Sequence, residues 1–168
     1  MPASVYLSAP GGRAVPEGLL VRGALATLEA EGVGEAELSL TLLPDGPMRE
    51  LNRRWLDHDW VADVLAFDLE GPGPTLVGDI YVGVSQAGRQ ARENGVATEE
   101  ELLRLVVHGT LHLLGHDHPE AAAGRAGSEL FRRQEALVRR VLGREASAPG
   151  RGPDGDHRAE RETGGEER

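Results

Sequence analysis

The sequence predicts a single α+β domain in which one mixed four-stranded sheet packs against helices. The chain has 168 residues, which is enough for one hydrophobic core and too few for two ordinary domains. Short segments typical of strands fill much of its first half, and longer segments with helical spacing of apolar residues dominate the second half. Elements of both kinds in this arrangement favour one sheet covered by helices.

Four strands and two helices are predicted before residue 85. The strand segments are "SVYL", "AELSLTLL", "ADVLAFDL" and "VGDIYVGV", and the Gly/Pro loop "EGPGP" separates the last two. Pro16 to Glu31 has helical spacing of its apolar residues, with a proline in a position suited to a first turn. These apolar positions are Leu19, Leu20, Gly23, Ala24 and Leu28. Asp45 to Trp55 begins with turn residues and continues as a short helix.

Two further helices are predicted directly after the fourth strand. Ser85 can cap the first of them, and Gly95 would end it. Thr98 and Glu101 have the spacing of a capping box, in which two side chains satisfy the first backbone N–H groups of a helix. The capping box predicts that "EELLRLVVHGTLHLL" is one helix.

A last helix is predicted from Ser128 to Leu142. Its inward-facing residues would be Leu130, Leu137, Val138 and Val141. From Ser147 onward the chain is rich in Gly, Pro and charge and has almost nothing to bury. We therefore expect a folded domain over residues 1–146 and a disordered tail over residues 147–168, in which His157 has no function.

Composition and charge narrow the function classes. The net charge is −10 and the chain has no cysteine. Disulfides and thiolate metal sites are therefore excluded, and broad, non-specific affinity for nucleic acid is disfavoured, although a local basic groove stays open. No apolar run approaches the length of a membrane span, and the first ten residues lack a basic region followed by an apolar core. We therefore expect a soluble, cytoplasmic protein.

The segment "HGTLHLLGHDH" contains four of the six histidines. His108 and His112 are four residues apart on a predicted helix, so they share a face and lie about 6 Å apart along its axis. Gly115 can take a positive φ angle and turn the chain back, so that His118 can reach the same ion. Three imidazoles leave the fourth position of a tetrahedral zinc ion free for water, as a hydrolytic site requires. We therefore predict one zinc ion per chain.

Other interpretations of this segment are weighed beside the metal site. A lone histidine at a helix end more often complements the helix dipole or packs in the core, whereas three at this spacing favour a metal. His116 lies in the predicted turn and is expected to point away from the ion. Asp117 either accepts a hydrogen bond from a liganding imidazole or is simply a turn residue.

The histidine spacing also matches the zinc peptidases that carry H-E-x-x-H-x-x-G-x-x-H. In those enzymes the glutamate is the general base, and Gly109 stands in its place here. The segment is therefore interpreted as a zinc-peptidase-like metal helix that serves another reaction.

The motif "VVHGTLHLLGHDH" resembles the signature of the YbeY-type endoribonucleases, the bacterial rRNA maturation factors. The resemblance continues in "LNRRW", "DVLAFD" and "GDIYVG" and covers roughly residues 36–142. It implies one zinc ion held by His108, His112 and His118. It also implies hydrolysis of single-stranded RNA in 16S rRNA 3′-end maturation and ribosome quality control in the cytoplasm. The implied partners are the 16S rRNA precursor and the ribosomal small subunit, with no DNA and no membrane.

The chain departs from the family pattern directly after "LNRRW". The family usually has an arginine there, thought to help at the active site, then Pro-Thr and "DVLSF" further on. Here the arginine, threonine and serine positions hold Leu56, Ala62 and Ala66. Arg53 or Arg54, one helical turn earlier, can substitute for the missing cation, or both can be solvated helix charges.

The resemblance predicts how a phosphodiester would be cleaved. Zinc would polarise a phosphoryl oxygen or activate water, and Arg53 or Arg54 would stabilise the charge that builds on the phosphate. His58, or Asp57 or Asp59 beside it, would supply a proton acceptor by family position. Two other functions stay open: a non-catalytic zinc-binding ribosome-assembly protein, and a metal-dependent hydrolase of a non-RNA substrate.

Overall fold

The fold is that of a computed structural model, which describes residues 3–71, 73–115 and 126–146. These residues form one mixed four-stranded sheet and five helices. The predicted α+β class with a single sheet is therefore confirmed. In the same part of the chain, no helix is both long enough and apolar enough to cross a membrane.

Each predicted strand and helix has a counterpart, with ends shifted by no more than four residues. In chain order the elements are β1 (Ser4–Ser8), α1 (Glu17–Ala30), β2 (Ala36–Leu43), α2 (Asp45–Leu56), β3 (Val64–Asp68), β4 (Leu76–Gly83), α3 (Val84–Asn94), α4 (Thr98–Leu113) and α5 (Ala126–Ala146).

The sheet has the strand order β1-β2-β4-β3. β1, β2 and β4 are parallel, and β3 runs antiparallel to β4 at the edge. The alternation in β2 places one face in the core, as the sequence predicts, and the buried residues on that face are Ala36, Leu38, Leu40 and Leu42. The sheet is mixed because the short loop between β3 and β4 makes an antiparallel hairpin-like pair, whereas helices connect the parallel strands.

The predicted caps are wrong at two helix N-termini. α3 begins at Val84, so Ser85 lies within the first turn and does not cap the helix. α4 begins at Thr98 and has no side-chain hydrogen bond at its cap. The carboxylate of Glu101 is instead paired with Arg104 at 2.8 Å, so it is not available for a capping box.

The two helix ends predicted from glycine are confirmed. Gly95 closes α3 with a φ angle of 65°, and Gly115 follows α4 with a φ angle of 90°. Positive φ costs glycine little because it has no Cβ. The backbone therefore leaves the helical path directly after the segment that carries His108 and His112.

Helix α4 lies at the centre of the molecule and packs against α1, α3, α5, β3 and β4. Leu103, Val106, Val107 and Leu111 are fully buried, so both faces of this helix contribute to the core. The inward face of α5 is also as predicted, with Leu130, Leu137, Val138 and Val141 buried. The histidine helix is thus held on several sides by packed elements.

Candidate metal centre

Helix α4 directs two imidazoles at each other. The Nε2 atoms of His108 and His112 are 3.0 Å apart, and the ring centroids are 4.6 Å apart at an interplanar angle of 61°. Two nitrogen ligands at roughly 2.0–2.1 Å from one tetrahedral zinc ion would be about 3.3 Å apart. The pair therefore needs only a small side-chain adjustment to share one ion.

The two histidines line an open cleft of about 240 Å³ between α4 and β3. Both rings are half-buried, so one side of each imidazole meets the protein and the other meets the cleft. The remaining lining residues are Leu56, Asp63, Val64, Leu65, Ala66 and Gly109. The space is wide enough to admit a metal ion and a solvent-exposed substrate group.

Gly109 lets α4 approach the sheet between the two histidines. A Cβ atom built there would lie 2.9 Å from Cγ2 of Ile80 and 3.0 Å from Cγ2 of Val64. Real Cβ atoms are almost never that close to their neighbours, because protein interiors are close-packed. A glutamate, as found here in zinc peptidases, would force the helix away from the sheet. The packing thus gives a physical reason for glycine at this position.

A glutamine on α5 contacts the ring of the first histidine. The Nδ1 atom of His108 is 2.7 Å from the Oε1 atom of Gln134, which is only 7% exposed. An amide oxygen accepts a hydrogen bond, so the imidazole must donate one from Nδ1. The Nε2 atom of a neutral His108 then carries the lone pair that faces His112.

Gln134 belongs to a polar network that joins α4 and α5. The guanidinium of Arg104 binds both carboxylate oxygens of Glu135, at 2.6 and 3.1 Å, and also binds Glu101. These hydrogen bonds raise the pKa of Arg104 and lower the pKa of Glu135. The Nε2 atom of Gln134 is 3.4 Å from Oε1 of the same Glu135. The network holds α4 and α5 together next to His108.

Asp63 also faces the cleft, but both of its carboxylate oxygens accept hydrogen bonds from the protein. Oδ1 accepts from the backbone N–H of Val64 at 2.7 Å, and Oδ2 accepts from Nε2 of Gln90 at 3.2 Å. The aspartate therefore ties the start of β3 to α3. It also borders a second, smaller cavity of about 150 Å³, which His108 and Gln134 line as well.

The three side chains predicted for catalysis lie outside the lining of the cleft in the described part of the chain. Arg53 is paired with Glu50, with its Nη2 atom 2.9 Å from the carboxylate, and both side chains are more than half exposed. Arg54 is exposed on α2. His58 is stacked on Trp60, with ring centroids 4.3 Å apart. Their roles in catalysis stay predictions.

The carboxylates beside His58 differ in environment. Asp57 ends α2 in the left-handed conformation, with a φ angle of 58°. Asp59 accepts a hydrogen bond from Arg49 at 2.9 Å, which lowers its pKa. A carboxylate with a lowered pKa is a weaker base, so this pairing disfavours Asp59 as the proton acceptor.

Two of the three departures from the family pattern fall in the cleft. Leu56, which takes the place of the family arginine, is 46% exposed and lines the same cleft as the histidines. Ala66, which takes the place of the serine, also lines it. The wall formed by these two residues is therefore apolar.

The third predicted ligand, His118, lies outside the described residues, as do His116 and Asp117. Within the described ranges, no group of three histidine, cysteine or acidic side chains is close enough together to hold a metal ion. The structure therefore shows that His108 and His112 lie close together. Binding of one metal ion by His108, His112 and His118 stays a prediction.

Gln134 is the site residue that sequence reasoning missed. It lies four residues after Leu130 and four before Val138, on the stripe of α5 that was predicted to be apolar. A polar residue at a buried position requires a hydrogen-bond partner. The glutamine within this apolar stripe was therefore the signal in the sequence that such a partner exists. The partner is 26 residues away in the chain, so the pattern of α5 alone could not identify it.

Two exposed tryptophans lie close to Leu56 in the chain. Trp55 is 65% exposed and Trp60 is 58% exposed. The ring of Trp55 is 6.4 Å from that of Phe67 on β3, which contacts Tyr81 on β4 at 6.0 Å. Large rings with this exposure offer flat surfaces to a planar ligand group.

A family model described as Endoribonuclease YbeY matches residues 19–141. A protein named Endoribonuclease YbeY from Moorella thermoacetica is 48% identical over 125 residues, covering 67% of this chain and 78% of the relative. A protein of the same name from Anaeromyxobacter dehalogenans is 42% identical over 147 residues, covering 84% of this chain and 75% of the relative.

The fold also has a counterpart among solved structures. The solution structure of a protein from Thermotoga maritima matches with a TM-score of 0.59 and 28% sequence identity. The match covers 92% of this chain and the whole of that chain.

Proposed function

Because the chain belongs to the endoribonuclease YbeY family, whose members are RNA-cleaving hydrolases, we propose that it is a zinc-dependent, single-strand-specific endoribonuclease. Its role would be 16S rRNA 3′-end maturation and ribosome quality control in the cytoplasm. The observation that carries the proposal is the 3.0 Å approach of the His108 and His112 Nε2 atoms in an open cleft. Its partners would be the rRNA precursor and the ribosomal small subunit, with no DNA and no membrane.

One zinc ion per chain would be held by His108, His112 and His118 on a zinc-peptidase-like metal helix. The donor chemistry fits this ion, because neutral imidazole nitrogens are preferred zinc ligands and this chain has no thiolate. When bound, zinc would supply Lewis acidity toward a phosphoryl oxygen and would lower the pKa of a water molecule. Three protein ligands leave room for that chemistry, whereas structural zinc sites usually have four.

The chain's own side chains would bind the substrate and handle its charge. Arg53 or Arg54 would approach the phosphate, and in either case a side-chain movement on α2 is required, because neither lines the cleft. His58 would accept a proton. The apolar wall at Leu56 offers no cation to the phosphate, so we expect slower cleavage than in a chain with the family arginine.

The two exposed tryptophans near Leu56 in the chain support RNA as the substrate. Unstacked bases of single strands bind to exposed aromatic side chains, whereas bases in a duplex are not available for this contact. Trp55 and Trp60 are both more than half exposed and lie within five residues of Leu56 in the chain. Neither a peptide substrate nor a purely structural zinc site would require such rings.

The domain boundaries are part of the same proposal. Residues 1–146 would form the catalytic domain, and residues 147–168 would be a disordered tail without a catalytic role. The family match ends within this domain, at residue 141.

The proposal is tested by metal analysis combined with an RNA cleavage assay on the purified full chain. We expect about one zinc per chain and cleavage of single-stranded but not double-stranded RNA. His112→Ala should lose most of the zinc and the cleavage together. His58→Ala is the matched control, since it changes an exposed histidine outside the cleft and should keep its zinc.

Three outcomes separate the alternatives. Full zinc content in a chain that lacks both His108 and His112 would overturn the metal site. Normal zinc content with no cleavage of any single-stranded RNA would favour a non-catalytic ribosome-assembly protein. Cleavage of other phosphodiester or peptide substrates, with RNA left intact, would identify a hydrolase of a different class.

A further inference from the structure

The contact between His108 and Gln134 is a short hydrogen bond made by a buried side chain. Gln134 is almost fully buried, and its Oε1 atom lies 2.7 Å from Nδ1 of the imidazole. None of the buried side-chain polar atoms in the described residues lacks a hydrogen-bond partner. Replacing the glutamine would therefore leave the Nδ1 group of His108 without this acceptor.

The orientation of the glutamine amide is determined by its neighbours. An amide can be turned by half a rotation, which would exchange its oxygen and nitrogen. Here the nitrogen faces the carboxylate of Glu135, which can only accept, at 3.4 Å. The oxygen must then face His108. Glu135 itself is held by two hydrogen bonds from Arg104, so the orientation is set from outside the histidine pair.

The oriented amide determines which tautomer His108 adopts. Because Oε1 accepts, the imidazole keeps its proton on Nδ1, and the lone pair lies on Nε2. That lone pair points to the space shared with His112, whose Nε2 is 3.0 Å away. The alternative tautomer would place a proton on Nε2, where it would occupy the position that a metal ion needs.

We propose that Gln134 is a positioning residue for the metal centre, which holds His108 in the tautomer and ring orientation required of a ligand. The proposal rests on the proposed zinc site. The partner of a ligand histidine is commonly a carboxylate, a backbone carbonyl or a water molecule. Here the partner is a neutral amide, and the carboxylate of Glu135, which contacts that amide, is paired with Arg104.

The first test measures zinc affinity by competition with a chromophoric chelator. Gln134→Leu, which removes the acceptor at similar volume, should weaken zinc binding about 10–100-fold, as is usual when the partner of a ligand histidine is lost. Gln134→Glu keeps an acceptor oxygen and should recover most of the affinity. Gln86→Leu is the control, because Gln86 is bonded to Arg89 on α3, away from the histidines, and should leave the affinity unchanged.

The second test needs no metal. Nitrogen NMR of the metal-free wild-type chain, at a pH where His108 is neutral, should show its Nδ1 protonated and its Nε2 unprotonated. In Gln134→Leu the same ring should show a mixture of both tautomers. A purely structural glutamine would not produce this spectral change.

The outcomes distinguish this inference from the proposed function. An Nε2-protonated His108 in the wild-type chain, or a folded Gln134→Leu variant with wild-type zinc affinity, would overturn the role of Gln134 and leave the zinc site intact. Zinc retention in His112→Ala would overturn the zinc site, whereas the tautomer measurement would still report on Gln134. If Gln134→Leu fails to fold, the wild-type spectrum alone decides.

Discussion

Replacing Gly109 with alanine tests whether close packing of α4 on the sheet requires glycine between the two histidines. The added Cβ would lie 2.9 Å from Ile80 and 3.0 Å from Val64, so either the helix or the β3–β4 pair must shift. Overpacking of this kind typically costs about 1–3 kcal/mol. Alanine is also a better helix former than glycine by about 1 kcal/mol, which partly offsets that cost. We therefore expect Gly109→Ala to lower the free energy of unfolding by about 0–2 kcal/mol.

A matched substitution on α3 removes the helix-propensity contribution from the comparison. Gly88 is also in a helix interior, and a Cβ built there would meet no atom within 4 Å. Gly88→Ala should therefore stabilise the chain by about 0.5–1 kcal/mol. The difference between the two variants isolates the packing term and should be about 1–3 kcal/mol, with Gly109→Ala the less stable.

Urea unfolding followed by circular dichroism measures both variants against the wild-type chain. For a domain of this size, each 1 kcal/mol corresponds to about 2–4 °C in the melting temperature, so a thermal scan gives an independent value. Equal stabilisation by Gly109→Ala and Gly88→Ala would refute the reasoning, because it would mean that α4 and the sheet have room for a side chain.

Four further predictions concern the cleft, the polar network, the aromatic rings and the tail. Leu56→Arg should raise the rate of single-stranded RNA cleavage without changing the zinc content. One preorganised donor lowers the activation free energy by up to about 2–4 kcal/mol. No gain in rate would exclude a role for this position in stabilising charge on the phosphate. The hydrogen bond from Arg104 lowers the pKa of Glu135 in the folded chain. The ionised carboxylate therefore stabilises the fold above the ordinary glutamate pKa, and this contribution is lost as the pH falls through the lowered pKa. Glu135→Gln should therefore reduce the acid dependence of stability, and an unchanged dependence in pH-resolved unfolding would contradict this. If a base stacks on Trp60, Trp60→Ala should raise the KM for single-stranded RNA roughly 5–150-fold, which corresponds to about 1–3 kcal/mol of stacking free energy. An unchanged KM would exclude stacking. Removing residues 147–168 should change stability by less than about 0.5 kcal/mol, whereas a large fall in melting temperature would show that the tail docks.

Patterns within single elements predicted most of the fold. The alternation in β2 and the apolar stripes of α1 and α5 identify their buried faces, because local periodicity alone decides which side of such an element is apolar. Gly95 and Gly115 identified helix ends for a similarly local reason. The predicted cap at Ser85 was wrong because α3 begins one residue earlier, at Val84. The predicted cap at Thr98 was wrong because α4 already begins at that residue and Glu101 is paired with Arg104.

The candidate site was predictable only where it lies on one helix. His108 and His112 are four residues apart, so helix geometry brings them together without any tertiary contact. The contact with Gln134 depends on how α5 packs against α4, and the position of Leu56 in the cleft depends on where the end of α2 lies relative to β3 and α4. No spacing rule in the sequence reports such packing.

The central position of α4 has a consequence for the order in which the chain can fold during synthesis. α4 begins at residue 98 and contacts α1, α3, α5 and the β3–β4 pair. Until it leaves the ribosome, the inner face of β3 and β4 lacks the helix that packs on it, and nascent chains of this length expose surface that favours aggregation. Fragments that stop before α4 should therefore be insoluble, and productive folding should begin only when most of the chain has been translated. The segment that brings the two histidines together is thus also the segment that allows the sheet to be buried.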